Sequence, residues 1–166
     1  MAKAEYLVAE QDNVVFFKLK GTLKYTMSIR FDAYIEKLIR QNTFTNVVFD
    51  ITEAEYIDST NLGLLAKLGE FIRTRKNKNA IIISTNENIT QLLESVGFQD
   101  YFTILEDEKN FSSDFEEIPQ QTGNDVESAK MIVDAHKHLM KLNEENKSVF
   151  QDIVSLLEEE VQERSE

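Results

Sequence analysis

YIDSTNLGLLAKL, residues 56–68, places an acid and two hydroxyls where a strand-like pattern gives way to a helical one. Upstream, NVVFDI (46–51) is a short apolar run of the kind that fills a buried strand. Downstream, Leu62, Leu65, Leu68, Gly69 and Ile72 recur on one helical face until about residue 76. A strand-to-helix junction leaves backbone N–H groups unpaired, and Ser59 Oγ or the Asp58 carboxylate can accept from them. The hydroxyls are therefore a helix cap or a point of regulation, and local chemistry alone favours the cap.

The same alternation of periods extends in both directions. EYLVA (5–9) and VVFFKLK (14–20) are β-rich, and Asn13 between them has turn chemistry, which predicts a hairpin. After Gly21, residues 27–41 put Ile29, Phe31, Ile35, Leu38 and Ile39 at helical spacing. AIIIS (80–84) reads as another central strand. A short helix follows, capped by Asn86 or Asn88, striped by Ile89, Leu92, Leu93 and Val96, and ended by Gly97 in a left-handed conformation. YFTIL (101–105) is the last strand, so residues 1–105 are expected to form one α/β domain.

Residues 106–124 are polar, hold the only proline, Pro119, and keep no period, which predicts a linker. Beyond it, Val126, Ala129, Val133, His136, Met140, Asn143, Lys147, Phe150, Val154, Leu157 and Val161 follow steps of three and four. That is a heptad seam on an acidic helical extension, 125–166, with a polar middle. Two arrangements fit: one long helix pairing with a second copy or a partner helix through residues 125–163, or a bend near NEENKS (143–148) that folds the second half back. Glu158, Glu159, Glu160 and Glu163 could also present a docking arm to a basic partner.

The formal charge of −12 is unevenly placed: residues 1–105 carry 12 basic and 13 acidic side chains, residues 106–166 carry 6 and 17. Such a balance argues against nucleic acid and anionic membranes as partners and in favour of protein. The first residues, MAKAEYLVAE, show neither a basic start nor an apolar run, and no segment has the length and apolarity of a membrane span, which predicts a cytoplasmic protein. The absence of cysteine excludes thiolate catalysis and cysteine-ligated metals. His136 and His138, two apart on a helix, face different ways and are not expected to share a metal. Met131 and Met140 read as packing residues rather than a cofactor site. Asp50 ends a strand as a receiver-domain aspartate does, but the acidic pair and the lysine that such a site needs are missing. With no GxxxxGK, GxGxxG or distinctive Ser/His/Asp signature, neither enzymatic activity nor a cofactor is expected.

YIDSTNLGLLAKL, the IIIS strand and LLESVGFQDYFTIL together resemble a STAS domain of the anti-sigma factor antagonist family, over residues 5–105. The resemblance implies a mixed β-sheet packed by helices, followed here by the C-terminal helical extension. It implies that Ser59, with Thr60 as alternative, is phosphorylated by a partner that is both anti-sigma factor and serine kinase. The unphosphorylated protein would capture that partner, phosphorylation would release it, and a serine phosphatase would reverse the change. Lys24, Asp58, Ser59, Thr60, Asn61 and Leu62 are the implied partner-binding residues. Asn61 stands where the family usually has glycine, and Lys24 where its loop commonly has an acid. The alternative is a STAS-based scaffold that oligomerises or docks a signalling partner through its C-terminal helix.

Overall fold

In the computed structural model, which describes residues 2–107 and 114–165, β1 (Glu5–Gln11) and β2 (Val14–Leu23) form the expected antiparallel hairpin. Asp12 and Asn13 turn the chain with φ of 54° and 66°, the positive values that match a two-residue turn to strand twist. β3 (Asn46–Asp50), β5 (Ala80–Ile83) and β6 (Phe102–Leu105) add to β2 in parallel, so the sheet is mixed. Among the described residues it has seven strands, in the order β6-β5-β3-β2-β1-β7. β4 (Ala54–Ile57) lies off this path and pairs with the end of β2 beyond β3.

One face of the sheet carries a run of aromatic rings. Phe17 stacks on Phe49 with centroids 5.2 Å apart and meets Phe31 and Tyr34 of α1 (Ile29–Gln41) edge-on. Phe49 in turn meets Phe102, and Gly69 of α2 (Ser59–Lys76) lies so close to the Phe102 ring that a Cβ there would stand 2.2 Å from it. α1 and α2 therefore cover the same face. α3 (Glu87–Ser95) is capped by Asn86, and Gly97 follows it with φ 83°, as the sequence predicts.

The C-terminal extension does not form one long helix. α4 (Asp125–Met140) and α5 (Glu144–Ser165) are separate, and Asn143 Oδ1 accepts the Asn146 N–H at 2.7 Å to start the second. Of the two arrangements the seam allows, the chain takes the bend. His136 and Phe150 face each other across the hairpin at 5.2 Å, and Lys137–Glu158 and Arg164–Asp125 ion pairs join its helices. A second stripe of α4, Met131, Ala135 and Leu139, joins the core of the sheet domain. The hairpin thus forms a third layer outside α2, which explains why residues 60–69 are buried all round.

Two elements depart from the sequence reading. β4 falls within a stretch given no structure, because its two central residues are exposed and its four residues leave no readable period. The expected linker contains β7 (Glu116–Glu117), which pairs with β1, and Ile118 beside it is buried. Residues 108–113 of that linker lie outside the described residues.

Candidate functional site

The N-terminus of α2 is built by Asp58. Its Oδ1 accepts from Asn61 N at 2.9 Å and from Asn61 Nδ2 at 2.9 Å, while Oδ2 accepts from Tyr25 N at 2.6 Å. The cap is therefore the carboxylate, and it also ties the turn after β2 to the helix start. Ser59, the first helical residue, has no capping duty. Its hydroxyl lies half-buried, 2.9 Å from His136 Nε2 on α4.

The opposite ring atom fixes the direction of that bond. His136 Nδ1 is 2.6 Å from the Ile132 carbonyl, which can only accept, so Nδ1 carries the hydrogen. In a ring with a single proton, Nε2 is then the acceptor and Ser59 Oγ–H the donor. The histidine read as a seam residue faces Phe150 across the hairpin and is also the direct partner of the candidate phosphoacceptor.

The other site residues divide by access. Lys24 and Tyr25 are exposed beside the Asp58 cap, and Tyr56 is exposed on β4 just before it. Thr60, Asn61 and Leu62 are buried. Asn61 uses its amide structurally: Oδ1 accepts from the Tyr6 hydroxyl at 2.8 Å, and Ser28 Oγ lies 3.0 Å away. Burial, helped by the negative charge of Asp58, pushes the Tyr6 hydroxyl well above the usual tyrosine range against the effect of its hydrogen bonds to Ser28 and Asn61, so it remains a donor. Tyr25, Tyr56 and His136 were missed as site residues. The two tyrosines adjoin the motif, but no period distinguishes an exposed aromatic from a packed one, and only the fold-back brings residue 136 to residue 59.

Two helical turns beyond Ser59, Lys67 is 4% exposed and its Nζ lies 3.1 Å from Asp32 Oδ1, 3.0 Å from Asp134 Oδ2 and against Glu36 Oε1. Desolvation opposes its charge, but the three carboxylates outweigh it and hold the ammonium above the usual lysine range. Asp32 moves up as well, because burial outweighs its share of Lys67. The two directions are compatible: one cation faces three anions, while each anion has a third of a cation. The three carboxylates lie close enough together to share one cation, and the ammonium is that cation.

Residues 5–112 match the STAS domain family. Solved structures share the fold, two of SpoIIAA among them. One is the Bacillus cell fate determinant SpoIIAA in its phosphorylated form, 15% identical, with 60% of this chain and 89% of that one covered and a TM-score of 0.51. The other is the anti-sigma factor antagonist SpoIIAA in its unphosphorylated form, 17% identical, covering 63% and 90%, with a TM-score of 0.53. No curated protein matches the sequence.

Proposed function

Because the chain belongs to the STAS domain family, we propose that it is an anti-sigma factor antagonist that works by partner switching. Unphosphorylated, it captures an anti-sigma factor that is also a serine kinase in the cytoplasm; the kinase transfers a phosphoryl group to Ser59 Oγ, and a serine phosphatase removes it. The chain itself acts by binding, without catalysis. The observation that supports this reading most is the division of labour at the start of α2, where Asp58 caps the helix and leaves the Ser59 hydroxyl out of the cap.

A phosphate at Ser59 adds about −1.5 to −2 charges beside Asp58, at a helix N-terminus that tolerates them, with Lys24 on the neighbouring turn. The domain keeps its fold. A partner surface shaped around a neutral hydroxyl must desolvate a dianion, and a cost of about 2 to 5 kcal/mol weakens capture about thirtyfold to several thousandfold. Ser59→Ala is expected to retain capture and to take up no phosphate from the kinase, and Ser59→Asp to lose capture. Equal affinity of the two variants for the kinase, measured by titration, rules the switch out, and phosphate found on Thr60 instead moves it by one residue.

A second reading has its own support. Val149, Ile153 and Leu156 on the outer side of α5 are 64%, 48% and 67% exposed, an apolar stripe suited to a scaffold that docks a signalling partner through this helix. An unchanged partner set for Ser59→Asp together with a loss of partners for Ile153→Glu favours that reading.

A further inference from the structure

The Ser59 hydroxyl is half-buried against α4 of the chain's own C-terminal hairpin. α4 crosses α2 directly over the site: Ser59 Oγ is 2.9 Å from His136 Nε2, and Gly63, one turn on, packs so close to α4 that a Cβ would stand 2.2 Å from the Ala135 carbonyl oxygen. Lys67 pairs with Asp134 one turn further. The contact runs along three turns of α2 and combines backbone-close packing with a hydrogen bond and an ion pair. The turn of the hairpin is held separately, by Asn146 Nδ2 donating to the Val96 carbonyl at 2.9 Å and the Tyr101 hydroxyl donating to the Leu142 carbonyl at 3.2 Å.

A kinase must bring a phosphoryl donor to about 3 Å from Oγ in a defined line of attack, and the imidazole holds the hydrogen-bonding side of that oxygen. A partner that reads the start of α2 meets α4 in the same place. We infer that the α4–α5 hairpin is an internal ligand for this face of α2, so that kinase and partner reach Ser59 only in molecules whose hairpin has swung away. The apparent affinity of any partner for the face is then reduced by the fraction of released molecules, and a factor that binds the hairpin raises it. The inference rests on reading Ser59 as the phosphoacceptor, but the access it describes can be measured without a kinase.

The chain has no cysteine, so Ser59→Cys introduces a single thiol as a reporter. Labelling of the full chain with N-ethylmaleimide is followed by intact mass, with Ser95→Cys, on an exposed helix end, as the open reference. A helix N-terminus and a nearby histidine favour the thiolate, so any bias runs toward fast labelling in the docked state and against the inference. The Ser59→Cys thiol is expected to react at least tenfold more slowly than the reference. Adding Ala135→Glu, or Leu139→Lys as a second release variant, is expected to restore at least tenfold. An Ala80→Cys reporter, fully buried in β5, must stay unlabelled in both release variants, which separates an open hairpin from an unfolded sheet.

Labelling of the Ser59→Cys single variant as fast as the reference, or labelling unchanged by both release variants, overturns the gate and leaves phosphorylation of Ser59 standing. Gated labelling with no phosphate ever transferred to Ser59 sinks the phosphoswitch alone.

Discussion

Lys67 ends on the buried side of α2 because carboxylates from α1 and α4 meet its ammonium there. Their exposures are unequal: Glu36 and Asp134 are 42% and 49% exposed, whereas the Lys67 side chain is 5% exposed. Removing the cation leaves three anions around an apolar gap, whereas removing one anion leaves two. Lys67→Met is expected to lower stability by about 3 kcal/mol, the low end for a broken buried pair because two partners can rehydrate. Asp134→Asn is expected to cost less than about 1 kcal/mol. Urea midpoints at neutral pH compare them, and equal losses would mean that the cluster is no more than a surface network. The raised lysine sets the pH window: its contribution is complete below about pH 10.5, the unfolded value, and is lost as pH rises through the higher folded one.

On α4, a partly buried histidine turns one ring nitrogen away from water. His138 Nδ1 is buried without a partner among the described residues, and Nε2 is 3.6 Å from Asp134. Desolvation lowers its pKa despite the pull of Asp134, with Lys141 and Lys67 working in the same direction and Glu70 against it. The folded state therefore prefers the neutral ring. Stability is complete above the unfolded value of about 6.5 and falls as pH drops from there through the lower folded value. His138→Gln is expected to flatten the thermal midpoint between pH 7 and 5; an identical slope in the variant would assign the acid sensitivity to other groups. The same helix shows what periodicity can and cannot convey. The leucine stripe of α2 and the three-four steps of the extension are legible because apolar side chains mark the faces they bury. Thr60, Gly63 and Lys67 mark nothing, since a face closed by a hydroxyl, a glycine and a salt-bridged ammonium looks like a solvated one. A heptad seam also looks the same whether its partner is another chain or its own second half. The His136–Ser59 contact was for that reason beyond sequence reasoning, whereas the Asp58-Ser59 junction was not.

At the scale of the whole molecule, the fold-back changes what the acidic half offers to others. The seam that could have paired two chains is spent within the hairpin and against α2, with Val133, His136 and Val154 buried. What remains outside is the stripe of Val149, Ile153 and Leu156, bordered by the exposed acids Glu145, Asp152, Glu159 and Glu163. Two copies meeting through that stripe would bring like charges together, and the repulsion acts over about 10 Å at 0.1 M salt, enough to span a helix-to-helix contact. A basic amphipathic helix would meet the same stripe with complementary charge. The chain is therefore expected to sediment as a monomer at micromolar concentration in low salt, with self-association emerging only when about 1 M salt shortens the screening length to about 3 Å. Ile153→Glu should abolish the high-salt species and leave the low-salt mass unchanged. A dimer that is stable in low salt and insensitive to Ile153→Glu would mean that the chains pair through another surface, and that the outer face of α5 is not held apart by its charge.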